Sequence, residues 1–161
     1  MPEKETIERA HEDKREGKSA STQAGEFVRE EIHHLREGKH GARSTEQAIA
    51  IGLSKARRAG VDLDVPEKGR TSAATRDQAK KDLARGKKSP RKKPSPGRSR
   101  GARKALEGMS TKPGSKKALS AHAKRAAKAR TKADRSASAK KAARTRARNS
   151  GKTRTRSSAK K

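Results

Sequence analysis

The chain has 161 residues and a net charge of +28, and 40% of its residues are charged while only 27% are hydrophobic. So little apolar surface cannot offset the conformational entropy lost on folding, which excludes a single domain packed over the whole length. The absence of cysteine excludes disulfide bonds and thiolate metal sites, and no apolar run approaches the roughly 20 residues that a membrane-spanning helix needs.

The large apolar residues are concentrated in one part of the chain. Ten of the sixteen Val, Ile, Leu, Met and Phe residues lie between Phe27 and Val65. We therefore predict a mainly α protein in which residues 1–69 form a small helical module with its core in residues 21–65. This module is a helix-turn-helix-like pair with a flanking helix, and a long, disordered, conditionally helical basic tail follows it.

The first predicted helix spans residues 3–16 and ends at Gly17. The second runs from about Gln23 to Glu37, with Ser21 or Thr22 as its N-cap. Spacing of i, i+4, i+7 predicts a core face, which Phe27 widens; the face comprises Phe27, Val28, Ile32 and Leu35. The charged residues of this helix are predicted to face solvent, and they are Glu26, Arg29, Glu30 and Arg36.

The third predicted helix begins at a capping box, in which Ser44 is followed three residues later by Gln47. Its predicted apolar stripe comprises Ile49, Leu53 and Ala56, and Gly60 ends it. Small residues at positions 48, 52 and 56 would let another helix approach closely, either within the chain or in a dimer. Residues 61–65 alternate apolar and acidic side chains, which predicts an extended return across the helix pair.

The segments beyond the module lose their large apolar residues. Residues 70–86 are predicted to form an additional amphiphilic helix that Gly86 ends, and residues 87–114 a Pro/Gly/Ser/basic linker without secondary structure. Residues 115–161 form an Ala/Lys/Arg-rich tail, in which residues 120–130 align with residues 136–146 as a repeat. Alanine favours helix while closely spaced cations oppose it, so we expect a tail that becomes helical when phosphates neutralise it.

Charge is divided unevenly between the two parts of the chain. Residues 1–69 hold 13 Lys and Arg against 14 Asp and Glu, whereas residues 70–161 hold 33 against 4. A polycation of this kind is typical of proteins that bind polyanions. Phe27 is the only aromatic residue, and single-stranded nucleic acids usually need aromatic stacking platforms. The sequence therefore predicts duplex DNA binding and compaction without sequence preference, as in a histone-like protein of the bacterial nucleoid.

The predicted DNA contacts are basic side chains of the linker and tail. They are Arg91, Lys92, Lys93, Arg98, Arg100, Arg103, Lys124, Arg125, Lys128, Arg130, Lys140, Lys141, Arg144, Arg146, Arg148, Lys152, Arg154 and Arg156. Secondary phosphate contacts are predicted in the helix pair, at Lys39, Arg43, Lys55, Arg57 and Arg58. The turn at 38–45, GKHGARST, is read either as a helix–helix connection or as a phosphate-binding loop before a helix N-terminus.

Two stretches resemble known proteins. The pieces EFVREEI, GKHGARS and QAIAIGLSKARRAG, within residues 19–65, resemble a small uncharacterised bacterial helical domain often labelled DNA-binding or plasmid-stabilisation protein. That resemblance implies DNA association and supplies no catalytic residue. Residues 87–161 are similar in composition to linker-histone-type tails, and Ser89-Pro90-Arg91-Lys92 resembles the Ser-Pro-basic-basic motif of histone tails, although a flexible linker explains it equally well.

Catalytic and metal chemistry are not predicted from this sequence. No nucleophile motif is present, and the histidines at positions 11, 33, 34, 40 and 122 show no established metal-ligand spacing. We therefore expect surface histidines, no cofactor and no enzymatic activity. Two alternative functions stay open, namely an RNA- or ribosome-associated protein, and a plasmid-maintenance adaptor whose residues 21–65 bind a protein partner or a second copy while the tail holds it on DNA.

Overall fold

The computed structural model describes residues 2–69, 71–88 and 96–158, and this part of the chain is mainly α-helical. Its helices are α1 (Lys4–Arg15), α2 (Ala20–Arg36), α3 (Thr45–Arg58), α4 (Ala73–Lys87), α5 (Pro96–Glu107), α6 (Lys116–Ala129) and α7 (Lys132–Ser158), with a 3-10 turn at Lys112–Gly114. The chain forms two compact units, Met1–Ser120 and Ala121–Lys161. No helix within the described ranges is long and apolar enough to cross a bilayer.

Helix α2 lies at the centre of the first unit, with α1 on one side and α3 on another, and α4 packs against α3. One buried cluster comprises Ala10, Ala24, Phe27, Ala56 and Val61. A second cluster comprises Ile32, Leu35, Ala42 and Ala48. Eight of these nine residues fall between positions 21 and 65, the segment predicted to hold the core.

The helix starts follow side-chain capping. The N-cap of α2 is Ser19, whose Oγ accepts a hydrogen bond from the Thr22 amide at 3.3 Å, so the predicted start near Gln23 was wrong. The predicted N-cap of α3 is confirmed, because Ser44 Oγ accepts from the Gln47 amide at 3.1 Å, but the reciprocal half of the capping box is not formed. The Gln47 side chain turns back to the Arg43 amide at 2.7 Å, one residue before the N-cap itself.

Helix α2 buries acidic residues that were predicted to face solvent. Glu26 and Glu30 are buried, whereas Arg29 and Arg36 are exposed as expected. A helix with neighbours on two sides buries more than one stripe, and buried charges need partners. Arg9 of α1 supplies one at 2.8 Å from Glu26.

The small residues of α3 form its contact with α2. Ala48, Gly52 and Ala56 are buried, and a Cβ at position 52 would lie 2.7 Å from the Val28 Cα. The predicted close approach is therefore intramolecular. Because α2 occupies this face, Ile49 and Leu53 of the predicted stripe are only half-buried.

Helix α4 does not end at Gly86 as predicted, since it continues to Lys87. A Cβ at position 86 would lie 2.1 Å from the carbonyl oxygen of Arg57. The absence of a side chain at position 86 permits the close approach between α4 and the end of α3, and this packing explains the glycine.

The predicted linker at 87–114 contains ordered structure, namely α5 and the 3-10 turn. Its carbonyl groups also complete the α2–α3 turn: the Gly41 amide donates to Leu106 O and the Ala42 amide to Ser110 O, each at 2.9 Å. Leu119 then packs against the second core cluster. These tertiary contacts draw residues 106–119 into the first unit despite their polar composition.

Candidate functional site

Helix α6 carries basic side chains along one face. Lys124 and Lys128 follow i, i+4 spacing, which places them on a common side of a helix, and Arg125 lies next to them. All three side chains are exposed. Cations separated by one or two helical turns can meet successive phosphates of a nucleic-acid backbone.

Helix α7 carries exposed cations on more than one side. Lys140, Lys141, Arg144 and Arg146 are exposed. The single acidic residue of this helix, Asp134, accepts hydrogen bonds from the Thr131 amide at 3.2 Å and the Thr131 hydroxyl at 2.9 Å, so it serves the helix start. Arg130, which precedes α7, is exposed and donates to the carbonyl of Asp134 at 3.1 Å.

The other predicted contacts are only partly described. Arg100 and Arg103 are exposed on α5. The Ser89-Pro90-Arg91-Lys92 motif, Arg91, Lys92 and Lys93 lie outside the described residues. Arg98, Arg148, Lys152, Arg154 and Arg156 have helical backbones, and their side chains are likewise outside the description.

The cations at the end of α3, which were predicted as secondary phosphate contacts, have partners inside the first unit. Lys55 Nζ lies 3.1 Å from Glu30 Oε1 and 2.6 Å from Glu31 Oε2, and its side chain is only 16% exposed. The buried Arg57 guanidinium donates to the carbonyls of Leu63 at 3.3 Å and Asp64 at 3.0 Å. Burial lowers the pKa of Arg57, opposed by the negative charge of Asp82.

Arg58 is also held by its own fold. Its Nε lies 3.5 Å from the carboxylate of Asp82, which is buried, and donates to the Ser54 carbonyl at 3.2 Å. The basic end of α3 therefore fixes the return at 61–65 and the packing of α4. The cation-rich last turn of α3 thus has its partners within the first unit.

The turn between α2 and α3 fits the connector interpretation better than the phosphate-loop interpretation. The amides of Gly41 and Ala42 are bonded to residues of the later segment, so they are not free to cradle an anion. Lys39 Nζ pairs with Glu37 at 2.9 Å, and the hydrogen bond to Glu37 raises the pKa of Lys39. Arg43 is exposed.

A cluster of histidine and carboxylate groups, which the sequence did not predict, joins α1, α2 and this turn. The potential ligand atoms of Glu31, His34 and His40 all lie within 4.8 Å of one another. His34 Nε2 lies 2.8 Å from Glu3 Oε1, and His40 Nε2 lies 3.2 Å from Glu31 Oε1. The prediction of surface histidines was wrong for His34 and His40, whose side chains are 13% and 15% exposed.

The electrostatics of the cluster follow from these contacts. The hydrogen bond from the His34 imidazole lowers the pKa of Glu3. The adjacent His33 is 66% exposed and lies 3.1 Å from Glu37, so it is a surface histidine as predicted. The missed signal is the Glu-x-x-His spacing of residues 31 and 34, which places both side chains on one helix face.

Comparison with known proteins gives one match. Residues 13–69, from the end of α1 to the return that follows α3, match the model of a family of unknown function, DUF6496. No curated protein and no solved structure matches the chain significantly. The match includes Glu31, His34, His40 and Lys55, and it excludes Glu3 and the basic tail. The α2–α3 pair and most of the His–Glu cluster are thus the part of this chain that is similar to a known family.

Proposed function

We propose that this protein binds duplex DNA without sequence preference and compacts it, with its basic tail neutralising backbone phosphates. The observation that carries the proposal is the charge of residues 70–161, where 33 Lys and Arg stand against 4 Asp and Glu. The sequences of α6 and α7 contain few carboxylates, so little competes with phosphate for their exposed cations.

The physical basis of this binding is counterion release. Each cation that meets a phosphate frees condensed counterions, which gives an affinity that depends on salt and not on base sequence. The arrangement of Lys124 and Lys128 on one side of α6 supports contact with one strand of backbone. Cations on more than one side of α7 support contact with more than one duplex, which is what compaction requires.

The proposal assigns DNA binding to the tail and not to a helix-turn-helix. The internal ion pairs of Lys55 and Arg58 and the buried hydrogen bonds of Arg57 support this assignment. We further propose that the tail beyond Ser120 is disordered when free and that phosphates stabilise the helical form of residues 121–158, because neutralised cations no longer oppose the helix propensity of alanine. Binding of this kind would place the protein on the bacterial nucleoid.

The proposal is tested by measuring DNA affinity of the full chain against salt concentration. In the variant, Lys124, Arg125, Lys128 and Arg130 are all replaced by Gln. If all four contact phosphate, the slope of log K against log salt should lose up to about 3.6 in magnitude, at roughly 0.9 for each phosphate. Duplexes of unrelated sequence should be affected alike, since phosphate contacts carry no base information.

The matched control removes the same charge from the first unit. The control replaces four exposed cations of that unit, namely Lys4, Lys14, Arg15 and Lys68. Replacing them by Gln should leave the salt slope almost unchanged. Equal effects of the two variants would contradict a tail-driven mechanism, and a strong preference for structured RNA over duplex DNA at the same salt concentration would identify RNA as the partner instead.

A further inference from the structure

We infer that Glu31, His34 and His40, with Glu3 as a fourth donor, form a binding site for a divalent transition-metal ion of the zinc class. This site is separate from the proposed DNA-binding tail, and it lies where α1, α2 and the α2–α3 turn meet. The inference rests on the donor set, its enclosure, and the residues that hold it in place.

The donor atoms lie close together. Glu31 and His34 are three residues apart on α2, so both side chains lie on the same helix face. His40 approaches from the turn, with its Nε2 3.2 Å from Glu31 Oε1, and Glu3 approaches from the start of α1, 2.8 Å from His34 Nε2. Ligand atoms of a tetrahedral zinc site lie about 3.4 Å apart. The contact of His40 with Glu31 is close to this spacing. An ion would replace the shorter hydrogen bond between His34 and Glu3 and draw together the ligand atoms of Glu31, His34 and His40, which lie within 4.8 Å of one another.

Three of the four donors are enclosed, which favours a bound ion over a solvated surface cluster. The side chains of Glu31, His34 and His40 are 1%, 13% and 15% exposed, whereas that of Glu3 is 50% exposed. Glu31 has a different partner at each oxygen: its Oε2 pairs with Lys55 Nζ at 2.6 Å, and its Oε1 faces His40. The Oε1 oxygen keeps acceptor capacity that a cation between it and the imidazoles would use.

Surrounding residues orient the donors. Glu30 links two of them, since its Oε2 accepts the Glu3 amide at 3.1 Å and its Oε1 lies 3.1 Å from Lys55, which also holds Glu31. Such outer contacts fix the ligands of metal sites. Glu3 and His34 also line a surface cleft of about 250 Å³, which gives an ion an entry path.

The ligand types select the class of metal. Two imidazoles with carboxylate oxygens suit zinc, cobalt or nickel, whereas magnesium and calcium prefer oxygen-only sites. A bound ion would join the start of α1 to α2 and the turn, so it should stabilise the first unit by binding the folded state alone.

The test uses the full chain, free of DNA, titrated with Zn²⁺ by calorimetry and with Co²⁺ by visible absorption. We expect one ion per chain, Co²⁺ bands of a four-coordinate site, and a rise in the melting temperature. His34→Gln and His40→Gln should each weaken binding by about tenfold or more. The matched control is His33→Gln, because His33 is adjacent in sequence but exposed and pairs with Glu37.

A second measurement needs no substitution, so it decides the question even if a variant fails to fold. Imidazole ¹⁵N resonances of the wild-type chain should shift on Zn²⁺ addition for His34 and His40, and not for His11, His33 or His122. Binding that His33→Gln weakens as much as His40→Gln, or resonance shifts confined to the other histidines, would overturn the site. Failure to bind any ion would overturn it too, and none of these results bears on DNA binding by the tail.

Discussion

At the scale of single residues, the first unit depends on buried charges that satisfy one another. Glu30 and Glu31 are 4% and 1% exposed, next to each other in sequence, and Lys55 lies between their carboxylates. Two buried like charges repel strongly unless a cation is shared. Lys55 is therefore a structural residue although its sequence context, in a basic last turn, is typical of DNA contact.

Removal of this cation should destabilise the fold. We expect Lys55→Met to lower the free energy of unfolding by about 3–5 kcal/mol, because it leaves buried carboxylates without compensation. Urea denaturation followed by circular dichroism measures the change, with the exposed Lys14→Met as the control. Adding Glu30→Gln and Glu31→Gln to the Lys55 variant should restore part of the loss, since the uncompensated charges are then gone. A loss below 1 kcal/mol for Lys55→Met would contradict this network.

At the scale of helices, the contact between α2 and α3 depends on a missing side chain. Gly52 allows the backbones to approach so closely that a Cβ there would lie 2.7 Å from the Val28 Cα. Gly25, in the interior of α2, has no atom within 4 Å of where its Cβ would be. The two glycines are both helical, yet only the first is required for packing.

Alanine substitution should therefore have opposite effects at these two glycines. Gly52→Ala should cost about 1–3 kcal/mol, because the helices must move apart or strain. Gly25→Ala should stabilise the protein by up to about 1 kcal/mol through helix propensity alone. Thermal melting of both variants checks the pair, and equal shifts of melting temperature would show that α2 and α3 do not meet at position 52.

The elements differ in how far the sequence predicts them. Helices α1 to α4 follow from local signals, of which the Ser44 cap is the clearest. Helix α5 was missed because its stretch is rich in glycine and basic residues, and the order of residues 106–114 comes from tertiary hydrogen bonds to the α2–α3 turn. The His–Glu cluster was missed because it too is a product of tertiary structure. Glu3, Glu31 and His40 are separated in sequence and meet only through packing.

At the scale of the whole molecule, the boundary between the units is not where composition and charge change. The net charge changes sign near residue 69, but the first unit extends to Ser120. The later segment contributes the Gly114 backbone, which sits against Leu35: a Cβ at position 114 would lie 2.8 Å from the Leu35 Cβ. Thr45 Oγ1 donates to the carbonyl of Pro113 at 2.9 Å. The charge pattern thus predicts which residues bind DNA, while side-chain packing decides where the first folded unit ends.

Two truncations should separate these roles. A chain ending at Ser120 keeps both core clusters and should retain the cooperative melting of the first unit, while its affinity for duplex DNA falls because the cations of residues 121–161 are gone.

A chain ending at Gly69 also loses α4 and the segment over Leu35, which is fully buried in the intact unit. Exposing one such side chain costs about 1.5–3 kcal/mol, so this shorter chain should melt at a lower temperature or lose cooperativity. Calorimetry and salt-dependent DNA binding on both chains measure the two effects. Equal stability of the two truncations would place the folded boundary at residue 69, and undiminished DNA affinity of the chain ending at Ser120 would move the binding surface into the first unit.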